Sequence, residues 1–110
     1  MQKISLDARV RKLMERATAA RAGRSAETVY GGHEHTLRQT LIALRAGASL
    51  AEHENPGEAT LVVLRGRVRL HSGDTTWEGM SGDLLIVPSA RHSLEAVEDA
   101  AVLLSVTMAS

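Results

Sequence analysis

The sequence predicts an all-β sandwich or barrel that is preceded by one amphipathic helix. From residue 25 onward, short apolar or β-branched runs recur between turn-forming residues, several of them about ten residues apart, which is typical of such folds. No helical period interrupts these runs, so parallel strands joined by helices are not expected. At 110 residues the chain has room for one domain. Within that domain we assign residues 1–24 to the helix and residues 25–110 to the barrel.

The N-terminal helix is predicted from the spacing of its apolar side chains. These fall on one face of a helix and are Leu6, Val10, Leu13, Met14 and Ala17. Ser5 or Asp7 can cap its start, and Gly23 can end it. Residues 1–24 carry a net charge of +5, and the rest of the chain carries −5. We therefore expect a solvated basic face and an apolar stripe that docks on the barrel or on a second copy.

Nine strands are predicted in the remainder of the chain. They are Glu27–Tyr30, Leu37–Leu44, Ser49–His53, Ala59–Leu64, Arg67–His71, Thr75–Glu78, Leu84–Val87, His92–Ala96 and Val102–Thr107. Arg65-Gly66 is predicted to form a tight hairpin. The runs Leu61–Leu64, Leu84–Val87 and Val102–Leu104 are apolar on both faces, so both faces need a cover. The barrel interior covers one face, and the helix or a second subunit covers the other, so we expect a homodimer.

Composition excludes several classes of function. Phe is absent and Trp77 and Tyr30 are the only aromatic residues, while the net charge is zero, so a nucleic-acid partner is not expected. Cys is absent, which excludes disulfides, thiolate nucleophiles and Cys-ligated zinc. No secretory signal or membrane span is expected, because the apolar stretches are short. We therefore expect a cytoplasmic protein without membrane contacts.

Two segments resemble the paired motifs of the cupins. The stretch from Gly47 to Gly66 resembles the first motif, which is Gly, five residues, His-x-His, three or four residues, Glu, six residues, Gly; His53 falls in register with both glycines. The stretch from Gly82 to His92 resembles the second motif, although its end is one residue shorter and lacks a Gly. The resemblance covers about residues 36–107. It implies a double-stranded β-helix, the small jelly-roll barrel of that family.

The resemblance also implies a set of metal ligands, which this chain matches only in part. In the cupins the two His and the Glu of the first motif, with the His of the second, bind the metal. His53 and His92 match, whereas Asn55 stands in the second His position and Ala59 in the Glu position. Glu58 is next to the Glu position, but strand alternation points it to the opposite face. Because a transition-metal site generally needs three or more ligands, any divalent metal is expected to be held weakly.

A second pair of histidines offers a third ligand. His33 and His35 would share one face if their segment were a strand, although a polar strand end at a loop is the simpler interpretation. Gln39 has the same parity and could line the pocket as a neutral hydrogen-bonding group. His71 is expected in an exposed loop. The predicted ligand-binding residues are His53, Asn55, His92 and Gln39, and the predicted metal ligands are His53, His92 and His35.

Three functions remain open at this stage. The first is a cupin barrel that binds a small molecule or a weakly held metal, with no assigned reaction. The second is a metal-dependent enzyme of the dioxygenase or isomerase type with an atypical ligand set. The third is a module that binds a partner through the basic helix. The missing Glu and second His favour the first over the second, and the fold alone does not decide between them.

Overall fold

A computed structural model describes residues 2–54 and 57–107, except the side chain of His53. In this part of the chain a helix, α1 (Leu6–Ala19), precedes nine strands. These are β1 (Arg24–Tyr30), β2 (Leu37–Leu44), β3 (Ser49–His53), β4 (Ala59–Arg65), β5 (Arg67–Ser72), β6 (Thr75–Met80), β7 (Leu84–Val87), β8 (His92–Ala96) and β9 (Ala100–Thr107). Strands β2, β3, β7 and β8 have the predicted bounds, and the others extend them. No helix within these residues has the length and apolarity needed to cross a membrane.

The strands form two antiparallel sheets that enclose the main core. One sheet has five strands in the order β1-β2-β9-β4-β7, and the other has four in the order β3-β8-β5-β6. Alternate side chains of each strand point between the sheets, as the period of a β-strand requires. The buried members of this core are Ile42, Leu44, Ala59, Leu61, Val63, Val68, Leu70, Val87, Leu94, Ala96, Ala100, Val102 and Val106. The predicted all-β jelly roll with one preceding helix is confirmed.

Helix α1 packs on the outer face of the five-stranded sheet. The Ser5 side chain caps its start by accepting a hydrogen bond from the backbone N–H of Ala8 at 3.3 Å. The predicted stripe is turned inward, and a second core forms from Val10, Leu13, Ala17, Leu41, Ala43 and Ala101. The apolar stripe therefore docks on the sheet of its own chain. A partner that bound this helix would have to use its basic, solvent-facing side.

The helix ends earlier than the sequence predicts. Its C-cap is Ala20, and Gly23, with a φ of +72°, lies in the turn that leads into β1. The guanidinium of Arg45 donates hydrogen bonds to the carbonyl oxygens of Thr18, Ala20 and Arg21 at 3.2, 3.1 and 3.5 Å. A cation at this position donates hydrogen bonds to carbonyls that have no partner within the helix. Its positive charge also interacts favourably with the negative end of the helix dipole.

The predicted hairpin at Arg65-Gly66 is wrong. Strand β4 ends at Arg65 in the five-stranded sheet, while β5 starts at Arg67 in the four-stranded sheet, so Gly66 is a corner between sheets. Its φ is +77°, and a Cβ there would lie 2.1 Å from the carbonyl oxygen of Asp99. Two apolar strands separated by a glycine show the same sequence pattern whether they pair with each other or enter different sheets. The local pattern therefore does not distinguish a corner from a hairpin.

Candidate barrel site

His92 lies on the inner side of β8. The strand alternates between buried and half-buried residues, and His92 is on the same side as Leu94 and Ala96 of the main core. Only 4% of His92 is exposed, and among the described residues it is the one polar residue that is buried. A buried imidazole needs hydrogen-bond partners, because burying a polar group without them is costly.

The environment of His92 assigns a role to each ring nitrogen. Its Nδ1 lies 2.9 Å from the carbonyl oxygen of Ala90. Because a carbonyl oxygen can only accept, Nδ1 carries the proton and donates it. The lone pair of the neutral ring is then on Nε2.

The fold places His53 and His92 directly opposite each other. They are register partners across the antiparallel pair of β3 and β8, after a shift in register between Leu50 and His53. One extra residue on β3 is the mark of a β-bulge, a feature that often lies beside functional sites. Asn55 and the side chain of His53 lie outside the described residues, so their contribution to a ligand site stays a prediction.

Ala59 occupies the position of the missing carboxylate and faces the barrel core. It is 5% exposed and pairs with Val87 on β7 and Val106 on β9. Glu58, just before the strand, is exposed, and its backbone N–H donates to the Thr107 hydroxyl at 2.9 Å. A methyl group therefore stands where the resemblance implies a ligand, and the neighbouring carboxylate does not replace it.

Gln39 lies on the opposite face of its strand from the one predicted for it. It shares the outer side of β2 with Leu41 and Ala43, both of the helix-covered core, and its Nε2 donates to the hydroxyl of Ser105 at 3.0 Å. Gln39 therefore does not line the barrel interior, contrary to the parity predicted for it, and its contribution to a ligand site stays a prediction. The alternation of side chains along β2 is sufficient to determine the face on which Gln39 lies.

His33 and His35 lie in the connection between β1 and β2 and are exposed. Because this connection is not a strand, the condition under which both imidazoles would share a face is not met. The ring of His35 meets that of Tyr30 edge-on, with 5.1 Å between centroids. In the described residues, no three His, Cys, Asp or Glu side chains are placed to hold a metal ion. A contribution of His35 to a metal site stays a prediction.

An open cavity of about 660 Å³ borders the end of the barrel. Its lining comes from two segments, 57–60 at the start of β4 and 86–89 at the end of β7. Ala59 and Val87 of the main core line it together with Thr60 and Ile86, which lie on the opposite face of the same two strands. Pro88 and Ser89 begin the loop that leads to His92. The lining of the cavity thus combines apolar side chains with hydroxyl groups and one carboxylate.

An exposed ion pair joins β3 to the same loop. The Nε of Arg91 donates to a carboxylate oxygen of Glu52 at 2.9 Å. This hydrogen bond, together with the negative charge of Glu52, raises the pKa of Arg91 above its ordinary value. The pair links residues adjacent to His53 and His92 and so connects the two strands next to the histidine positions.

His71 has a role that the sequence prediction missed. It lies in β5 instead of an exposed loop, with Nδ1 3.0 Å from the Thr76 hydroxyl and Nε2 2.8 Å from a carboxylate oxygen of Glu95. All three residues face outward from the four-stranded sheet. Their contact depends on the register of three strands, and no signal local to any one strand indicates it.

Comparison with known proteins agrees with the motif resemblance. The family model described as the cupin domain matches residues 40–107. A search of curated proteins found no match to the chain. A conserved protein of unknown function from Streptococcus pyogenes superposes with a TM-score of 0.74 at 24% identity, over 83% of this chain and 79% of that one.

Two other solved structures extend this likeness. An RmlC-like cupin protein from Desulfovibrio desulfuricans has a TM-score of 0.67 at 27% identity, over 76% of this chain and 81% of that one. A point mutant of salicylate 1,2-dioxygenase from Pseudoaminobacter salicylatoxidans has a TM-score of 0.80 at 22% identity, over 94% of this chain but 34% of the enzyme. The family match, the two antiparallel sheets and the positions of His53 and His92 lead to one conclusion: this chain belongs to the cupin family.

Proposed function

We propose that this protein binds a small molecule at the open end of its barrel, next to the loop that leads to His92, and that it holds any metal only weakly. The observation that carries the proposal is Ala59, whose buried methyl group stands in the position of the family's carboxylate. A metal bound there would lack its negatively charged ligand. The described donor set does not fit a tightly bound transition metal, which requires three or more converging ligands.

The chemistry of the cavity favours a small ligand with one apolar side and one hydrogen-bond donor. Ala59, Val87 and Pro88 supply apolar surface, and Thr60 and Ser89 supply hydroxyl groups. The hydroxyls of Thr60 and Ser89 can accept that hydrogen bond, and Ser89 lies in the loop that leads to His92. Apolar pockets with a few convergent polar groups are typical of small-molecule sites.

A metal-dependent reaction is the second candidate, and the register supports it. His53 and His92 are directly opposite each other in the antiparallel pair of β3 and β8, and both stand in ligand positions of the family's motifs. Two imidazoles alone would hold a divalent metal weakly, with water in the remaining positions. The dioxygenase activity of the similar structure is a property of that enzyme, of which this chain spans about a third.

The test combines metal analysis with ligand detection on protein purified without a His tag. Elemental analysis measures bound metal, and native mass spectrometry detects any small molecule that copurifies. The expected result is metal well below one ion per chain and a small molecule that His92→Ala loses. His92→Gln is a second variant that keeps a polar group, in case the alanine variant unfolds.

His71→Ala is the matched control, because it removes an imidazole from the outer face of the same sheet. It is expected to keep the small molecule. One metal ion per wild-type chain, lost in His92→Ala, would favour the second candidate. A small molecule or metal that His92→Ala retains would show that the site lies elsewhere and would refute the proposal.

A further inference from the structure

An arginine points into the open end of the barrel. Arg38 lies on β2 at an even spacing from Ile42 and Leu44, both of the main core. Side chains at even spacing on a strand share one face, and the register of β2 with β9 runs without a shift along the whole of β2. The register partner of Arg38 is Val106, which is also buried in the main core. Arg38 is therefore on the inner side of the five-stranded sheet.

Arg38 shares one cross-strand row with the residue in the family's carboxylate position. Val106 on β9 pairs with Arg38 on one side and with Ala59 on the other, and Ala59 in turn pairs with Val87 of β7. Neighbouring strands lie about 4.8 Å apart, so the backbones of Arg38 and Ala59 are separated by roughly 10 Å. Ala59 and Val87 line the open cavity of about 660 Å³. The row therefore runs from the arginine to the lining of that cavity.

The same end of the barrel holds His92 on the facing sheet. Val87 is the last residue of β7, and the loop 88–91 leads from it to His92, the first residue of β8. His92 is on the inner side of the four-stranded sheet, with Leu94 of the main core. The open end therefore has an inward-facing cation on one sheet and an inward-facing imidazole on the other.

Within the described residues, no acidic side chain neutralises Arg38. Its guanidinium is half-buried and makes no hydrogen bond or ion pair with any residue of 2–54 or 57–107. Taking a charge out of water without a partner costs free energy, so a half-buried guanidinium of this kind is suited to an anion from outside. Where the family places a negative ligand for a metal, this chain has the methyl group of Ala59 and a cation in the same row.

We propose that the ligand of this barrel is a small monocarboxylate with an apolar body, whose anionic group binds the guanidinium of Arg38. A guanidinium matches a carboxylate with two parallel N–H donors, and such charge-assisted hydrogen bonds are stronger than neutral ones. Its single positive charge fits one carboxylate better than a phosphate monoester, which carries about two negative charges. Ala59 and Val87 would contact the apolar body. The inference rests on the proposed function and names the class of its ligand.

The test compares two probes of the same shape, benzoate and its neutral amide, benzamide, in protein NMR titrations. The amide signals of residues 57–60 and 86–89 report binding, because these segments line the cavity. The wild type is expected to bind benzoate about tenfold or more tightly than benzamide. Arg38→Gln is expected to bind the two probes equally. Arg38→Met, which keeps most of the apolar stem, replaces this variant if it unfolds.

Arg65→Gln is the matched control, because it removes the same charge from the same sheet. Arg65 is exposed at the end of β4, whereas Ala59 is at its start. This variant is expected to keep the preference for benzoate. Loss of the preference in Arg65→Gln would assign it to the overall charge of the protein and would overturn the inference.

Two further results separate this inference from the proposed function. Equal binding of both probes by the wild type, or a preference for benzoate that persists without Arg38, would overturn the inference and leave the proposed function standing. The absence of shifts with both probes at millimolar concentration would also overturn it. The small molecule that copurifies in the preceding test then decides the proposed function separately.

Discussion

The Nδ1 of His92 donates a hydrogen bond of 2.9 Å to the carbonyl oxygen of Ala90, two residues earlier in the chain. This contact fixes the ring at the point where the loop from the cavity enters β8. It also assigns the tautomer, because the acceptor has no proton to give. In histidines that bind a metal or a ligand through one ring nitrogen, a hydrogen bond from the other nitrogen orients the ring in the same way.

The first prediction concerns the tautomers of two histidines. His92 should carry its proton on Nδ1, whereas His71 should carry it on Nε2, which lies 2.8 Å from a carboxylate oxygen of Glu95. Long-range proton–nitrogen NMR distinguishes the two neutral tautomers of a histidine ring. Finding both rings in the same tautomer would contradict the geometry at one of the two sites.

The second prediction restores a carboxylate to the barrel. Ala59→Glu should lower the free energy of unfolding by about 3 kcal/mol or more without metal, because an unpaired charge becomes buried. Added zinc or nickel should recover part of this loss, since a Glu in the family's ligand position would add a carboxylate to the two histidine positions. Thermal melts with and without metal measure the difference.

Ala101→Glu provides the control for this metal rescue. Ala101 is 2% exposed and lies on the helix side of the five-stranded sheet. It should lose similar stability, and added metal should not recover it. Equal recovery in both variants would show that the effect of metal does not arise in the barrel.

The third prediction tests the docking of the helix. Leu13 is 2% exposed between α1 and the sheet, so Leu13→Asp should cost about 3 kcal/mol of unfolding free energy. Lys12→Asp introduces the same carboxylate at an exposed position one residue away and should cost less than about 1 kcal/mol. Urea denaturation of both variants provides the comparison. Equal stability of Leu13→Asp and the wild type would mean that the helix does not contribute to the core.

The fourth prediction separates backbone strain from steric overlap. Gly73 has a φ of +57° with no neighbour within 4 Å of an added Cβ, so Gly73→Ala should cost only about 1–2 kcal/mol from the left-handed backbone. Gly66→Ala adds a clash with the carbonyl oxygen of Asp99 at the corner between the sheets. It should therefore be the more destabilising variant in thermal melts. The reverse order would show that the corner can move.

Local patterns were sufficient to predict the elements of this fold. The helical stripe through Val10 and Leu13 and the alternation in strands such as β5 depend only on neighbouring residues, and the structure agrees with both. The same local rule predicted that Glu58 would not point with Ala59, and it explains why Ala59 lies in the core. The resemblance to the two cupin motifs placed His53 and His92 in the family's ligand positions.

The errors arose where a conclusion required knowledge of which strands pair. The side of Gln39 was counted from His33 and His35, whose segment is not a strand, so the parity did not carry over into β2. The contact of His71 with Glu95 requires β5 to lie beside β8, although the two strands are far apart in the sequence. Neither relationship has a signal in the residues adjacent to it.

The sequence by itself determined the helix, the strands, the cupin motifs and the loss of the family's carboxylate at Ala59, because each of these depends on residue type and local spacing. Only the tertiary structure decided that Gly66 turns between sheets, that Gln39 faces outward, and that α1 leaves Leu84 and Ile86 exposed. The physical reason is that strand pairing and helix docking are set by contacts between distant segments, and such contacts depend on the whole chain packing at once.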